Sequence, residues 1–341
     1  MTPPLSPLNF LRAALNPDAY HGTGRRPPFF EGWYFKLVDP TLQHRYAVIP
    51  GVFKSRDPGL AHCFVQVLDG QAGRSSYYRY PAEAFRSARG RFEIAVGPNR
   101  FSAEGLSLDL GGPEGTLRGE LSFSGLNPWP VTLISPGIMG WYAWAPFMQT
   151  YHGVVSLDHR IHGQLEVNGQ RVDFTGGDGY IEKDWGRSFP SGWVWMQSNH
   201  FSQPGTSLTA SIATIPWLGR SFVGFIIGLL HEGRLYRFAT YLGTALERLE
   251  VREERVRWTL RGREHRLEIE ALPGPGALLH APTEIDMGRR IPETMQASLR
   301  ARLSRLDGAL LLDDTGACAG LEVAGDLDGL VRIAEAQFSP R

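Results

Sequence analysis

A strict alternation of apolar and polar residues between Met295 and Ser304 constrains the fold of this chain most strongly. The segment is rich in alanine, leucine and arginine, a composition that would also suit a helix. Its apolar residues, however, recur at every second position, which is the period of a strand with one buried and one solvated face. The segment therefore predicts a strand, and Asp307-Gly308 predicts the turn that follows it.

The same period of two predicts two hairpins elsewhere in the chain. Alternating residues flank Asn168-Gly169, a pair that favours a tight hairpin turn because both turn positions need a positive φ. A second hairpin is predicted around Gly262, where residues 256–260 and 267–271 each alternate. Residues 92–123 contain three more alternating runs, so strands are expected in both halves of the chain.

The distribution of turn-forming residues supports an all-β fold. The 341 residues include 40 glycines and 24 prolines, which favour many short strands over long helices. Helix is expected only in short pieces, at residues 9–15 and near residues 327–336. The chain is therefore predicted to form an antiparallel sandwich or barrel, and its length suggests two such units, joined at or just after residues 127–151.

The balance of charge in the chain argues against a nucleic-acid partner. With 35 basic and 35 acidic residues the chain has no net field to attract a polyanion, so no nucleic-acid partner is expected.

Cys63 and Cys318 lie far apart and have no metal-type spacing, which predicts two buried thiols in a reducing, cytoplasmic setting. Residues 1–16 lack the pattern of a secretory signal, and residues 1–7 are expected to be a poorly ordered lead-in.

Residues 131–148 form an uncharged stretch that nearly reaches the length of a membrane span. Because Pro136, Gly137, Gly140 and Pro146 interrupt it, we expect a buried or lid-like segment. The alternative is a peripheral contact with a membrane surface, through which the protein would collect an apolar substrate.

Three aromatic-rich clusters could carry chemistry: residues 29–36, residues 176–186 and residues 193–201. In a strand, Glu31 would share a face with Trp33 and Phe35. A strand over the third cluster would likewise group Trp193, Trp195, Gln197, Asn199 and Phe201, a face that suits a largely apolar ligand with a few polar atoms. The alternatives are ordinary core packing for the aromatic residues and a salt-bridged turn for residues 182–184.

Histidine spacing argues against a metal site. His152, His159 and His162 are close in sequence, but their spacing is not that of a helical zinc site. In a hairpin region we expect these side chains to point in different directions, so no metal is predicted.

Several motifs, taken together and in order, resemble the tocopherol cyclase family. They are Tyr20-His21-Gly22, residues 29–36, residues 139–143, Tyr151-His152-Gly153, residues 179–186, residues 193–201 and residues 237–241. The resemblance implies two lipocalin-like β-barrel domains, which we place at residues 20–150 and 151–337.

The resemblance also implies a reaction. Plant members of the family close a chromanol ring by adding the phenolic oxygen of a prenylated quinol across the nearest alkene of its tail, an isomerisation that needs no cofactor. Such a reaction requires a general acid, a site that shelters a tertiary cation, and groups that orient the quinol. A carboxylic acid in an apolar pocket can stay protonated, because burial can raise its pKa by up to about 3–5 units.

The three clusters supply candidates for each role. The candidate acids are Glu31, Glu182 and Asp184. Aromatic faces stabilise cations, and the candidate cation box comprises Trp33, Trp185, Trp193 and Trp195. The candidate orienting residues are Gln197, Asn199 and His200. Two alternatives stay open: a non-catalytic lipocalin-like binder of lipids, quinones or carotenoids, and an isoprenoid hydratase in which water replaces the phenol.

Overall fold

The computed structural model describes residues 7–338, and within that range the chain forms 22 β-strands, two α-helices and three short 3-10 helices. The helices are α1 (Pro7–Ala14) and α2 (Leu327–Phe338), and the 3-10 helices are Ala82–Ala84, Gly140–Trp144 and Thr240–Leu242. Both α-helices lie where short helices were predicted. Of the lead-in expected at residues 1–7, residues 1–6 lie outside the described residues, and Pro7 begins α1.

The first antiparallel sheet contains twelve strands, in the order β4-β3-β2-β1-β12-β10-β9-β8-β7-β6-β5, with β11 paired to β10. The strands are β1 (Phe29–Val38), β2 (Arg45–Lys54), β3 (His62–Asp69), β4 (Arg74–Pro81), β5 (Phe85–Ser87), β6 (Glu93–Val96), β7 (Asn99–Ser102), β8 (Gly105–Gly112), β9 (Gly115–Ser124), β10 (Thr150–Val167), β11 (Gln170–Asp173) and β12 (Asp178–Gly186). The sheet curls, so that β4 comes against β8 and Tyr78 donates a hydrogen bond to the carbonyl of Gly115 (3.2 Å).

The second antiparallel sheet contains ten strands, in the order β16-β15-β14-β13-β22-β21-β19-β18-β17, with β20 paired to β21. The strands are β13 (Gly192–Ser198), β14 (Ser207–Trp217), β15 (Arg220–His231), β16 (Arg234–Ala239), β17 (Ala245–Arg252), β18 (Arg255–Arg261), β19 (His265–Leu272), β20 (Gly276–Ala281), β21 (Arg289–Arg305) and β22 (Leu310–Gly325). The predicted all-β class is confirmed.

The strands predicted from alternation form as expected. Residues 295–304 lie within β21, and their apolar side chains are buried. At the first hairpin, Asn168 and Gly169 adopt positive φ values of 51° and 82°, and β10 pairs with β11 across them. At the second, β18 pairs with β19 so that Trp258 lies opposite Ile269.

The chain divides into two compact units at a place that differs from the predicted one. The first unit runs to Phe189 and includes Leu278–Arg290, and the second comprises Pro190–Ala277 and the chain from Ile291 onward. The predicted division at residues 150/151 falls where β10 begins. Because β10 pairs with β9 and with β12, residues 150–186 complete the first sheet.

Each unit packs around a hydrophobic core of its own. The first core contains Trp33 and Phe35 from β1 and Ile181 from β12. The second contains Val194 and Met196 from β13, together with apolar residues of β14, β15, β18, β19, β21 and β22. Within residues 7–338, no helix has both the length and the apolar character needed to span a membrane.

Residues 131–148 are partly buried and partly exposed. Ile138, Met139 and Met148 are buried within the first unit. Leu133 and Ile134, in contrast, are 72% and 85% exposed. The segment thus presents bulky apolar side chains to solvent while other residues of the same segment pack inward.

Candidate active site

Strand β12 runs through the middle of the first sheet and carries different chemistry on its two faces. It lies between β1 and β10, so side chains from all three strands meet in register. Ile181, Lys183 and Trp185 share the face that lines the core, because Ile181 belongs to the core cluster. Tyr180, Glu182 and Asp184 share the opposite face. Residues 182–184 therefore belong to a strand and do not form the salt-bridged turn considered above.

On the core-lining face, Glu31 forms a buried ion pair with Lys183. Lys183 Nζ lies 2.5 Å from Glu31 Oε1, and both side chains are fully shielded from solvent. The backbone N–H of His21 donates to the other carboxylate oxygen at 2.8 Å, and His21 Nδ1 lies 3.2 Å from Oε1. A buried charge is costly unless it is paired and hydrogen-bonded, and this carboxylate is both.

Lys183 also occupies the aromatic site that was predicted for a substrate cation. Its Nζ lies 4.5 Å from the centre of the Trp33 ring and 4.7 Å from that of Trp185. It donates a further hydrogen bond to the carbonyl of Ala19 at 2.7 Å. The two indole faces that Lys183 covers thus already interact with a cation of the protein itself.

The protonation of Glu31 follows from these neighbours. Burial alone would raise its pKa, but the charge of Lys183 and the contact with His21 more than offset this and hold the pKa of Glu31 below its usual value. Burial lowers the pKa of His21, whose Nε2 contacts the carbonyl of Ala13 at 3.1 Å. A general acid needs a raised pKa to stay protonated, so the lowered pKa of Glu31 does not suit that role.

On the opposite face, His152 of β10 lies between two carboxylates of β12. His152 pairs directly with Asp184 in the sheet register, and its Nδ1 lies 2.9 Å from Asp184 Oδ1. Its Nε2 lies 3.4 Å from Glu182 Oε2, an oxygen that also accepts a hydrogen bond from the hydroxyl of Tyr180. Glu182 is 4% and His152 8% exposed, so this polar cluster is largely shielded from water.

The same cluster has the donor set of a metal site. Ligand atoms of His152, Glu182 and Asp184 all lie within 4.8 Å of one another. An imidazole and two carboxylates could hold a divalent cation. His159 and His162 do not belong to this group, because the bulged β10 places His159 farther along β12, opposite Gly179.

A small cavity, part of it open to solvent, adjoins His152. Its wall includes Trp185, Tyr151 and His21, and the remaining lining residues are Phe10, Ala13, Ala14, Pro17, Arg25, Pro136, Met139 and Ala143. The Trp185 ring stacks on His21 (4.2 Å between centres) and on Tyr151 (5.4 Å). The cavity is therefore mostly apolar and aromatic, with His152 as a titratable group in its wall.

The remaining predicted site residues belong to the second unit. Trp193, Trp195 and Gln197 lie on the face of β13 opposite to the core residues Val194 and Met196, and all three are buried. Trp193 donates a hydrogen bond from Nε1 to Glu322 at 2.8 Å.

The alternation predicted for the third cluster does not extend beyond the end of β13 at Ser198. Asn199 and His200 follow the strand, and His200 forms an isolated bridge with Ala317. Phe201 packs in the core with Val194 and Met196 and does not share the face of the tryptophans. The structure thus divides the predicted site residues between the two units.

Four residues of these clusters had no role in the sequence-based prediction. Tyr180 could have been found, because a strand over residues 178–186 groups it with Glu182 and Asp184. His21, His152 and Lys183 required the register of three strands and the path of the N-terminal loop, which no local pattern encodes.

Comparison with known proteins identifies the family. The sequence profile of the tocopherol cyclase-like family matches residues 122–325. The probable chloroplastic tocopherol cyclase of Oryza sativa subsp. japonica is 27% identical over 380 residues, spanning 92% of this chain and 79% of the rice protein. The chloroplastic tocopherol cyclase of Zea mays is 26% identical over 373 residues, spanning 90% of this chain and 77% of the maize protein.

A solved structure shares the fold. The crystal structure of a candidate AttH from Nitrosomonas europaea superposes with a TM-score of 0.50 at 15% identity, covering 90% of this chain and 95% of that one. The fold likeness agrees with the family match, which spans more than half of the chain. This protein belongs to the tocopherol cyclase-like family.

Proposed function

We propose that this protein catalyses the acid-promoted ring closure of a prenylated quinol or a closely related isoprenoid. The observation that carries the proposal is Glu182, a buried carboxyl group held by the Tyr180 hydroxyl and by His152, with His152 in the wall of an apolar cavity. The family membership supports a hydrophobic small-molecule substrate of the kind named for the rice and maize proteins.

In the proposed reaction Glu182 is the general acid. Its O–H bond breaks as a C–H bond forms at the less substituted carbon of the alkene, leaving a tertiary cation. The phenolic oxygen then bonds to the cationic carbon and loses its proton to a nearby base. Atoms and charge balance without an added reactant, since one proton is consumed and one is released.

The cavity supplies the shielding that the cation requires. Tyr151 offers aromatic surface in its wall, and a desolvated aromatic face can stabilise a cation by about 2 kcal/mol or more. Trp193, Trp195, Gln197, Asn199 and His200 stay predicted ligand contacts. We assign Glu31 a different role from the acid that the sequence suggested, because Lys183 holds it as an anchored carboxylate.

We also propose that the protein collects its substrate at a lipid surface. Leu133, Ile134, Trp141 and Phe147 are exposed, and all belong to the segment that lines the cavity with Pro136, Met139 and Ala143. Bulky apolar side chains beside an apolar cavity suit contact with the lipid that dissolves the substrate.

Turnover with a prenylated quinol tests the proposed reaction. Wild-type protein is expected to yield a chromanol of unchanged mass, separable from the quinol by chromatography. Glu182→Gln should retain quinol affinity but lose turnover by about 10²–10⁴-fold, the usual contribution of a general acid. Glu166→Gln, an exposed change on the neighbouring strand β10, is the matched control.

Three results would contradict the proposal. Binding without product from wild-type protein would indicate a carrier. A product heavier by one water would indicate a hydratase. Full activity of Glu182→Gln would show that Glu182 is not the general acid.

A further inference from the structure

The hairpin of β14 and β15 extends beyond the neighbouring strands of the second sheet. β13 pairs with β14 no farther than Ala213, and β16 pairs with β15 from Ile226 onward. Beyond these points residues 215–217 pair with residues 220–222, and no third strand joins them in the described part of the chain. At a rise of about 3.3 Å per residue, this hairpin arm (residues 215–222) reaches about 10 Å.

The turn of the hairpin arm holds a leucine in the left-handed backbone region. Leu218 and Gly219 have φ values of 46° and 81°, close to the 51° and 82° of Asn168 and Gly169 in the hairpin described above. This geometry favours Asn, Asp or Gly at its first position, because a bulky side chain is strained there. The Leu218 side chain is 81% exposed, so burial within the described structure does little to offset the strain.

One face of the hairpin arm is largely apolar. Cross-strand partners share a face, so Ile215, Trp217 and Phe222 lie on the same side, with Arg220 directly opposite Trp217. The rings of Trp217 and Phe222 meet edge to face, with 6.1 Å between their centres. Arg220 is exposed, and residues 207–231 contain no aspartate or glutamate. The hairpin arm therefore combines a protruding apolar tip with a positive charge.

We propose that the hairpin arm inserts Leu218 into the surface of a membrane that contains anionic lipid. The inference goes beyond the proposed function, because it depends on no reaction. It also concerns a different surface from residues 131–148, since those belong to the first unit and the hairpin arm belongs to the second.

The features of the hairpin arm suit a lipid surface. Transfer of Leu218 from water into an apolar phase is favourable and would offset the strain of its backbone. Trp217 has the amphipathic ring that is enriched at the membrane–water boundary, and Arg220 complements the negative charge of anionic lipid. The reach of about 10 Å matches the depth of about 5–10 Å to which interfacial segments are buried.

Leu218→Asn tests the proposal, because binding and stability should change in opposite directions. Binding to vesicles of phosphatidylcholine and phosphatidylserine, measured by sedimentation, should weaken by about 10-fold or more through loss of the buried leucine. The unfolding temperature should rise by about 1–4 °C, because asparagine adopts this backbone conformation with less strain. Unchanged vesicle binding by Leu218→Asn would overturn the proposal.

Glu232→Asn is the matched control. Glu232 is exposed and occupies the same position of the β15–β16 turn, with a φ of 50°. This variant should also gain stability, but it should bind vesicles as tightly as wild type. A loss of binding equal to that of Leu218→Asn would overturn the proposal, since the effect would then not be specific to the hairpin arm.

A fluorescent label reports insertion directly. Cys63 and Cys318 are buried, so a nitrobenzoxadiazole label should react selectively with Leu218→Cys. Its emission should become stronger and shift to shorter wavelength when vesicles are added, whereas a label on Glu232→Cys, at the other end of β15, should not change. No change at position 218 would overturn the proposal, as would a shift that needs no vesicles and grows with protein concentration, which would indicate contact with a second copy. Neither experiment uses turnover, so failure of the proposed reaction would leave both results interpretable.

Discussion

Lys183 and Glu31 form an ion pair of 2.5 Å in which neither side chain is exposed to solvent. The pair joins β12 to β1 and anchors the N-terminal loop, because Lys183 donates to Ala19 and Glu31 accepts from the backbone of His21. The rings of Trp33 and Trp185 face the ammonium group of Lys183, so their cation is a side chain of the protein itself. We therefore propose the opposite face of β12 for the acid chemistry.

Removing one partner of this pair should destabilise the protein strongly. Lys183→Met leaves the Glu31 carboxylate buried without its counterion, and breaking a buried pair in this way costs about 3–5 kcal/mol. Chemical denaturation should show a decrease of that size in the free energy of unfolding. The double variant Glu31→Gln/Lys183→Met should recover part of the loss, because no unpaired charge is then left.

The exposed pair between Arg118 and Asp109 provides the control. Arg118→Ala should cost only about 0–1 kcal/mol, since both side chains are more than half exposed. A similar small effect for Lys183→Met would show that Lys183 and Glu31 do not form a buried pair in solution.

The buried ring of His159 should make stability depend on pH. Burial lowers the pKa of His159 to about 3 from an ordinary value of 6.5. Below pH 6.5 the unfolded chain therefore binds a proton that the folded protein does not bind until about pH 3. Stability should fall across this window, by about 2 kcal/mol from this residue between pH 6.5 and pH 5.

Unfolding free energies of wild type and His159→Asn at several pH values measure this contribution. The difference between the two proteins isolates His159 from the other titrating groups. The variant should lose less stability than wild type as the pH falls from 7 to 5. Parallel curves for the two proteins would be inconsistent with a buried neutral His159.

Gly179 is required by the close approach of the same ring. A Cβ at this position would lie 2.2 Å from His159 Nε2 and 2.9 Å from two carbons of the ring. Gly179→Ala should therefore cost about 1–3 kcal/mol through overpacking. Thermal unfolding should show the decrease, and adding His159→Ala should relieve part of it. Gly32→Ala is the matched control on β1, because the atom nearest to its added Cβ would lie at 3.7 Å. Equal costs in stability for the two variants would argue against the clash at Gly179.

Exposed apolar residues of segment 131–148 should govern contact with lipid. Leu133→Ser and Ile134→Ser are expected to weaken binding to phosphatidylcholine vesicles in a sedimentation assay, because each removes a large apolar side chain from the surface. Leu310→Ser, which changes an exposed leucine of the second unit, should have little effect. Equal binding by all three variants and wild type would show that this segment is not the contact.

The all-β class was accessible from sequence because it rests on local periodicity. The alternation around Met295–Ser304 and the Asn168-Gly169 turn specify strands without knowledge of their neighbours. The division into units was not accessible in the same way. It depends on β10 and β12 joining the sheet of β1, a pairing over more than 100 residues of sequence that no local pattern reveals.

For the candidate site, the sequence predicted the types of residue but not their arrangement. Sequence grouped Glu31 with Trp33 and selected Glu182 and Asp184, and these residues do lie on two adjacent strands. A strand over residues 178–186 places Lys183 on the face opposite to those two acids, but the sequence could not show that Lys183 pairs with Glu31. That pairing decides which carboxyl group can serve as the acid, and it follows from the cross-strand register.

Deuterium incorporation tests the central claim most directly. Wild-type protein and a prenylated quinol in D₂O should give a chromanol with one deuterium bound to carbon at the former alkene, since Glu182 delivers a solvent-derived proton there. Mass spectrometry after back-exchange in ordinary water would detect it, and Glu182→Gln should form almost none of this product. A chromanol without carbon-bound deuterium, or equal labelling by Glu182→Gln, would contradict acid catalysis by Glu182.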